Sequence, residues 1–269
     1  MALNFSGNDN IIEYNEIHNV VKETSDAGAV YAYSTKTGRG NIIRHNYIHS
    51  LTTNCFSKEG IHAIYVDGRR DGTTVESNIF ENIRGSAFFI NAGCDNIFKN
   101  NICIESDYMV HFAYSKYNKR NNLDLNWNNF IKDMDNNKKS LYISRYPKFA
   151  KYEDETIEYP LATRYNYVSD NAMLNVDCPI YEHKNDGNND GIRYASQNVA
   201  TDWWFTSLDT DKGQNVMNVP VKYSNSQSIG FTDYDNKNFT LTQNSDIYTK
   251  IPGFIEPQFN KIGINNGGK

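Results

Sequence analysis

Asn10-Ile-Ile-Glu-Tyr-Asn15-Glu-Ile17 is a phrase that this chain writes four times. It returns as Asn41-Ile-Ile-Arg-His-Asn46-Tyr-Ile48, as Thr73-Thr-Val-Glu-Ser-Asn78-Ile-Phe80, and as Asn96-Ile-Phe-Lys-Asn-Asn101-Ile-Cys103. Successive copies of the later Asn stand 31, 32 and 23 residues apart. Within each phrase apolar and polar residues alternate, which is the strand period, and self-similarity at this spacing marks a solenoid with one coil per repeat. Equivalent residues of stacked coils lie about 4.8 Å apart, so an Asn at a fixed position can hydrogen-bond to its copies above and below. Asn15, Asn46, Asn78 and Asn101 therefore predict an internal ladder at a turn.

Working outward, a second strand recurs between the phrases. Gly28-Ala-Val-Tyr-Ala-Tyr33, His62-Ala-Ile-Tyr-Val-Asp67, Ser86-Ala-Phe-Phe-Ile-Asn91 and Tyr108-Met-Val-His-Phe-Ala113 align without gaps. At least two strands per coil, and a full coil of about 22 residues with short corners, fit a parallel β-helix better than an ankyrin or leucine-rich array. The fold class expected is all-β, a right-handed parallel β-helix forming one domain over 1–269. Regular turns are expected over about 8–131, less regular turns and excursions over 132–200, and a packing tail over 201–269. Leu123-Asp-Leu-Asn-Trp-Asn-Asn-Phe-Ile131 and Arg164-Tyr-Asn-Tyr-Val168 read as further turns, with a helical or irregular excursion at Arg145–Phe149 and Tyr152–Glu155 between them. The loop Lys184–Gly191 resembles a calcium loop only superficially, because the downstream Glu and flanking helices are absent. No metal or other cofactor is expected.

The whole chain sets bounds. Its 269 residues are 39% hydrophobic and 22% charged, a globular composition, and its net charge of −5 provides no basic field for nucleic acid or an anionic membrane. Cys55, Cys94, Cys103 and Cys178 lack metal-ligand spacing and read as reduced and mostly buried. No apolar run is long enough to span a bilayer, and Met1–Gly7 lacks the pattern of a signal peptide, so a soluble chain without an export signal is expected. A solenoid must hide its ends. The first phrase begins close to Met1, so either preceding turns or a homo-oligomer contact is expected to cover that end.

Two coils carry surplus length, which on a rigid scaffold is where binding and chemistry sit. Glu23, Asp26, Glu59, Asp67 and Asp71 gather there, with Tyr33, His62, Arg69 and Arg70 nearby. Glycoside hydrolysis needs two carboxyl groups across a sugar bond, about 5–5.5 Å apart for retention or about 6.5–9.5 Å for inversion. On a straight strand Asp26 and Asp67 would stand seven columns and more than about 20 Å apart, so a corner before Gly28 is required to bring them together. Register alone makes Asp26 and Glu59 the closer pair. Asp67-Gly68 and Asp71-Gly72 also fit simple turns. Tyr31, Tyr65 and Phe89 read as stacked core.

Gly7-Asn-Asp-Asn-Ile-Ile-Glu-Tyr-Asn-Glu-Ile-His18, Glu23-Thr-Ser-Asp-Ala-Gly-Ala-Val-Tyr31, Ala63-Ile-Tyr-Val-Asp-Gly68, Arg145-Tyr-Pro147, Asn238-Phe-Thr-Leu241 and Lys261-Ile-Gly263 together resemble the right-handed parallel β-helix proteins of glycoside hydrolase family 141, over their C-terminal portion. The resemblance implies a secreted or periplasmic enzyme acting on a polysaccharide or oligosaccharide, with Asp26 and Asp67 as the catalytic pair. This chain departs from the family at Tyr33-Ser-Thr-Lys36, where relatives read Gly-Arg-Asp-Trp, and at Asp67-Gly68, where they often carry two aspartates. The expected function is a glycosidase in which Glu23, Tyr33, Glu59, His62, Arg69 and Asp71 bind substrate. The alternatives are a non-catalytic or truncated β-helix that binds glycans, and a polysaccharide lyase.

Overall fold

The structure, a computed structural model, describes residues 1–33, 37–55, 60–68, 70–114, 134–154, 156, 163–184, 199–201, 204–205, 222–223 and 229–263. The first coils comprise Leu3–Asn4 (β1), Ile11–Glu13 (β2), Glu16–His18 (β3), Ala27–Tyr33 (β4), Asn41–Arg44 (β5), Tyr47–Leu51 (β6), Ile61–Asp67 (β7), Thr73–Glu76 (β8) and Ile79–Ile83 (β9). Gly85–Asn91 (β10), Ile97–Lys99 (β11), Ile102–Ile104 (β12) and Tyr108–Tyr114 (β13) follow. After an excursion come Tyr167–Ser169 (β14), Ala172–Leu174 (β15), Cys178–Lys184 (β16), Val199–Thr201 (β17), Trp204–Phe205 (β18) and Lys222–Tyr223 (β19).

Three parallel sheets wrap one core. The first stacks β1-β4-β7-β10-β13-β16, the second β2-β5-β8-β11-β14-β17, and the third β3-β6-β9-β12-β15-β18-β19. Each coil visits the three sheets in turn, so the chain is a right-handed parallel β-helix, the hand that parallel crossovers take. The recurrent strand behaves as its alignment predicts: Gly28 pairs with His62, His62 with Ser86, and Ser86 with Tyr108. What alignment alone did not separate is the third strand of every coil, because the repeated phrase holds two short strands with a corner between them.

That corner explains the asparagines. Tyr14, His45, Ser77, Asn100 and Asp170 all have φ between 51° and 59°, a left-handed turn, and the next residue in each case is the ladder Asn. Asn15 Nδ2 donates to Asn46 Oδ1 at 3.0 Å, Asn46 to Asn78 at 3.0 Å, Asn78 to Asn101 at 3.1 Å, and Asn101 to Asn171 at 3.2 Å. Every rung from Asn46 onward is sealed from solvent, so each amide must satisfy its own polar atoms within the stack. A parallel ladder runs at the entry to the second sheet through Asn10, Asn41, Thr73, Asn96 and Asn166. Inside the coils, Ile12, Ile43, Val75, Phe98 and Val168 stack in register with the apolar residues of the other two sheets.

Between β13 and β14 the chain leaves the stack. Helix α1 (Asn136–Arg145), capped by the Asp135 carboxylate on the Lys138 amide, and a 3-10 turn at Pro147–Tyr152 lie back across the corner between the first and second sheets. The excursion expected at Arg145–Phe149 is this pair of elements. The tail forms an antiparallel hairpin, Phe231–Asp233 (β20) with Asn238–Leu241 (β21), and a short helix, Asp246–Lys250 (α2). Phe231, Phe239, Leu241 and Ile247 cover Tyr47, Ile79, Ile102 and Leu174 on the outer face of the third sheet. Cys94 and Cys103 are buried, Cys55 and Cys178 half-buried, and all four are free thiols. The turn expected at Leu123–Ile131 and the loop at 185–191 lie outside the described residues. Among those described, no helix is long and apolar enough to cross a membrane.

Candidate active site

The first sheet breaks its own alternation once per strand. Ala29 and Val30 both enter the core, as do Ala63 with Ile64 and Ala87 with Phe88. The slip turns Tyr31, Tyr65 and Phe89 to the outer face, where they form a separate cluster with Ala113. These rings were expected as stacked core. They are stacked, with Tyr31 and Tyr65 edge to face at 5.2 Å and Tyr65 and Phe89 tilted at 4.5 Å, but they lie outside the coil. Two residues further along, on the same face, stand Tyr33, Asp67 and Asn91 in neighbouring strands.

Asp26 arrives from the other end of the strand. It adopts a left-handed turn, φ 50°, with its amide donating to the Gly60 carbonyl at 2.7 Å. Immediately afterwards the chain is pinched at Gly28, where an added Cβ would stand 2.7 Å from both Tyr65 Cβ and the Val30 carbonyl oxygen. The turn and the pinch supply the corner that a straight strand lacks. The Tyr65 hydroxyl then donates to Asp26 Oδ1 at 3.0 Å.

Asp67 is held by more partners. Its Oδ2 accepts from the Tyr31 hydroxyl at 2.7 Å, and its Oδ1 from Asn91 Nδ2 at 2.8 Å and from the Gly68 amide at 2.5 Å. Asn91 Nδ2 also lies 3.4 Å from the Tyr65 hydroxyl, so a continuous chain of polar contacts joins the two carboxyl groups. The three contacts limit the separation of Asp26 Oδ1 from Asp67 Oδ1 to no more than about 9 Å, which does not exceed the upper end of the range for paired carboxylates. Asp26 is exposed and Asp67 half-buried. Burial, then the hydrogen bond to Asp67, pushes the Tyr31 hydroxyl far above its ordinary pKa, and burial followed by the Asp67 charge does the same for Tyr65. Both phenols therefore remain proton donors.

The other expected site residues divide. Tyr33 is 61% exposed beside Asp67, and Glu23 is exposed on the loop leading to Asp26. Glu59 and Arg69 lie outside the described residues. His62 is a correction: it is buried, with Nδ1 2.6 Å from Ser86 Oγ and its ring 4.3 Å from that of Phe89, so it packs beside the aromatic layer. Asp71 is a second correction. Its oxygens are taken by Arg39 Nη2 at 2.7 Å, the Cys94 amide at 2.8 Å and the Tyr152 hydroxyl, all under the 3-10 turn, and it is fully buried. Arg70 is buried too, its guanidinium 4.8 Å from the Phe5 ring and donating to the Gly7 carbonyl.

Tyr31, Tyr65 and Asn91 escaped the sequence reading. The available signal was that the first two strands carry Tyr where the third has Phe, with a residue able to accept or donate two places further on. The fold and the site together define a parallel β-helix carrying a tyrosine-held pair of aspartates on its first sheet. No family model matches the chain, and no curated protein matches it. Among solved structures, a mannuronic acid specific polysaccharide family 6 lyase enzyme from human gut microbiota aligns with 95% of this chain at 10% identity and a TM-score of 0.35. The alignment takes in 66% of that protein, so this chain spans about two thirds of its length.

Proposed function

We propose that this protein is a glycoside hydrolase of the family 141 type, acting on a polysaccharide or oligosaccharide through Asp26 and Asp67. The observation that carries the reading is the contact chain from Asp26 through Tyr65 and Asn91 to Asp67, which sets two solvent-reachable carboxyl groups, distant in sequence, within about 9 Å. Asp67 accepts from three donors and Asp26 from a single described one. Together the two supply the acid and the base or nucleophile that cleavage of a glycosidic bond requires. Tyr33 offers an exposed ring for a sugar face, and Glu23 lines the approach to Asp26.

The test is product release from a panel of plant and mucosal polysaccharides by the wild-type chain, Asp26→Asn and Asp67→Asn. Hydrolysis of at least one glycan is expected, with each substitution lowering turnover by about 10³-fold or more while circular dichroism is unchanged. Full activity in either variant removes that residue from the mechanism. Retention on glycan gels without product would leave a binding surface, and an ultraviolet-absorbing unsaturated product abolished by chelator would reassign the site to a lyase.

A further inference from the structure

A second cluster of ligating side chains lies on the outer face of the third sheet. Glu16 and His18 alternate around Ile17, which enters the core, so both project from the same side of β3. His18 pairs in register with His49 of β6, and the two imidazoles stack at 4.8 Å with 17° between their planes. One donor atom from each of Glu16, His18 and His49 lies within 4.8 Å of the others. His49 Nε2 and Glu16 Oε1 are 3.2 Å apart, and two donors on one tetrahedral zinc ion, with bonds of about 2.0–2.1 Å, stand about 3.3 Å apart.

The surroundings orient both rings. His49 Nδ1 contacts Ser50 Oγ at 3.1 Å, and its face packs on Tyr47 at 4.0 Å. His18 Nδ1 contacts the Asn19 side-chain amide at 2.8 Å. Ser50 and Asn19 occupy equivalent left-handed corners, φ 53° and 55°, so the same device engages Nδ1 of each ring and leaves Nε2 for a ligand. The Asn19 atom at that contact is Nδ2, and a flip of the amide puts its oxygen against Nδ1–H, the outer-shell arrangement that fixes a metal-binding tautomer. On the next strand Glu81, in register with His49, is occupied by Tyr47 and Lys237. A cleft of about 450 Å³ bordered by Glu16, His49 and Glu81 leaves room for water to complete a coordination sphere.

We infer that Glu16, His18 and His49 bind one divalent transition-metal ion of the zinc class, joining the first two coils across the third sheet. Two imidazoles and one carboxylate select such an ion over calcium or magnesium, which prefer oxygen ligands. The site is independent of the Asp26 and Asp67 pair and of the hydrolase reading. Isothermal titration of the untagged full chain with zinc chloride alone tests it, with magnesium and calcium chlorides as controls. One zinc ion per chain is expected, with a rise in melting temperature, no response to the controls, and affinity at least tenfold weaker in His18→Gln and His49→Gln. Asp26→Asn binds zinc as the wild type does. His18 is exposed, so His18→Gln leaves the fold intact. Absence of zinc binding, or an unchanged affinity in His18→Gln, overturns the inference.

Discussion

The Tyr65 hydroxyl stands 3.0 Å from Asp26 Oδ1 although 39 residues separate them in the chain. The approach depends on Gly28, which has no room for a side chain against Tyr65, and on the left-handed turn at Asp26 that precedes it. Asp tolerates that conformation better than most residues, and such backbone positions cluster where a side chain must be aimed. One phenol thereby joins the two ends of a strand that its length would keep apart.

Removing that hydroxyl isolates its contribution. Tyr65→Phe keeps the ring stack with Tyr31 and Phe89 and deletes the hydroxyl that donates to Asp26 and meets Asn91 Nδ2. Turnover on the responsive glycan is expected to fall about 10²-fold with KM little changed. The stability loss measured in urea should be about 0.5–1.5 kcal/mol.

The buried ion cluster makes the opposite prediction. Arg39 Nη2 lies between Asp71 and Asp95, at 2.7 and 2.9 Å, and all three side chains are almost fully enclosed. Asp71→Asn leaves a buried guanidinium short of countercharge and is expected to cost about 3–5 kcal/mol by chemical denaturation. Activity per folded molecule should be unchanged, because the Asp71 carboxylate is fully buried.

Asn78 is the central rung of its ladder. It accepts from the Asn46 amide and side chain, and donates to the Ile43 and Glu76 carbonyls and to Asn101 Oδ1. Asn78→Ala strands several of these sealed groups at once and is expected to destabilise the chain by about 2–4 kcal/mol, read from urea unfolding.

Alkaline pH should unfold the protein rather than titrate it. Burial is the leading cause that raises the hydroxyls of Tyr31, Tyr47, Tyr65, Tyr152 and Tyr234 far above the ordinary value of 10.0. The folded state therefore holds protons that the unfolded chain releases near pH 10. Stability is complete below that pH and declines as pH rises beyond it. Tyrosinate absorbance is expected to appear for these residues together with loss of the β-sheet dichroism. Gradual ionisation around pH 10 with the fold intact would contradict the assignment.

The coil architecture was readable because Asn recurs at a corner where backbone geometry leaves few substitutes, and because the Gly28, His62, Ser86 and Tyr108 strands align without gaps. Asn171, the next rung after Asn101, was hidden by the long excursion, since a repeat loses its period when residues are inserted at a corner. The candidate site was legible only in its acids. Asp26 and Asp67 could be named, but the shift of phase at Ala29-Val30 was not visible in the pattern, and it is this shift that turns Tyr31 and Tyr65 outward. Asp71 misled for a related reason: a carboxylate beside a Gly reads as solvated until an element from elsewhere in the chain is laid over it.

Tyr146 reaches Asp9, Lys151 reaches Asp95, and Tyr152 reaches Asp71, so the segment after the fifth strand of the first sheet is fastened to several earlier windings. A solenoid without such a clasp would shed its windings one by one from a loosened end. Here a tear begun at the far end meets fastenings that bridge its path. Pulled by its ends, the molecule should resist and then give way in one abrupt rupture, where an unclasped stack would lengthen in a staircase of small steps.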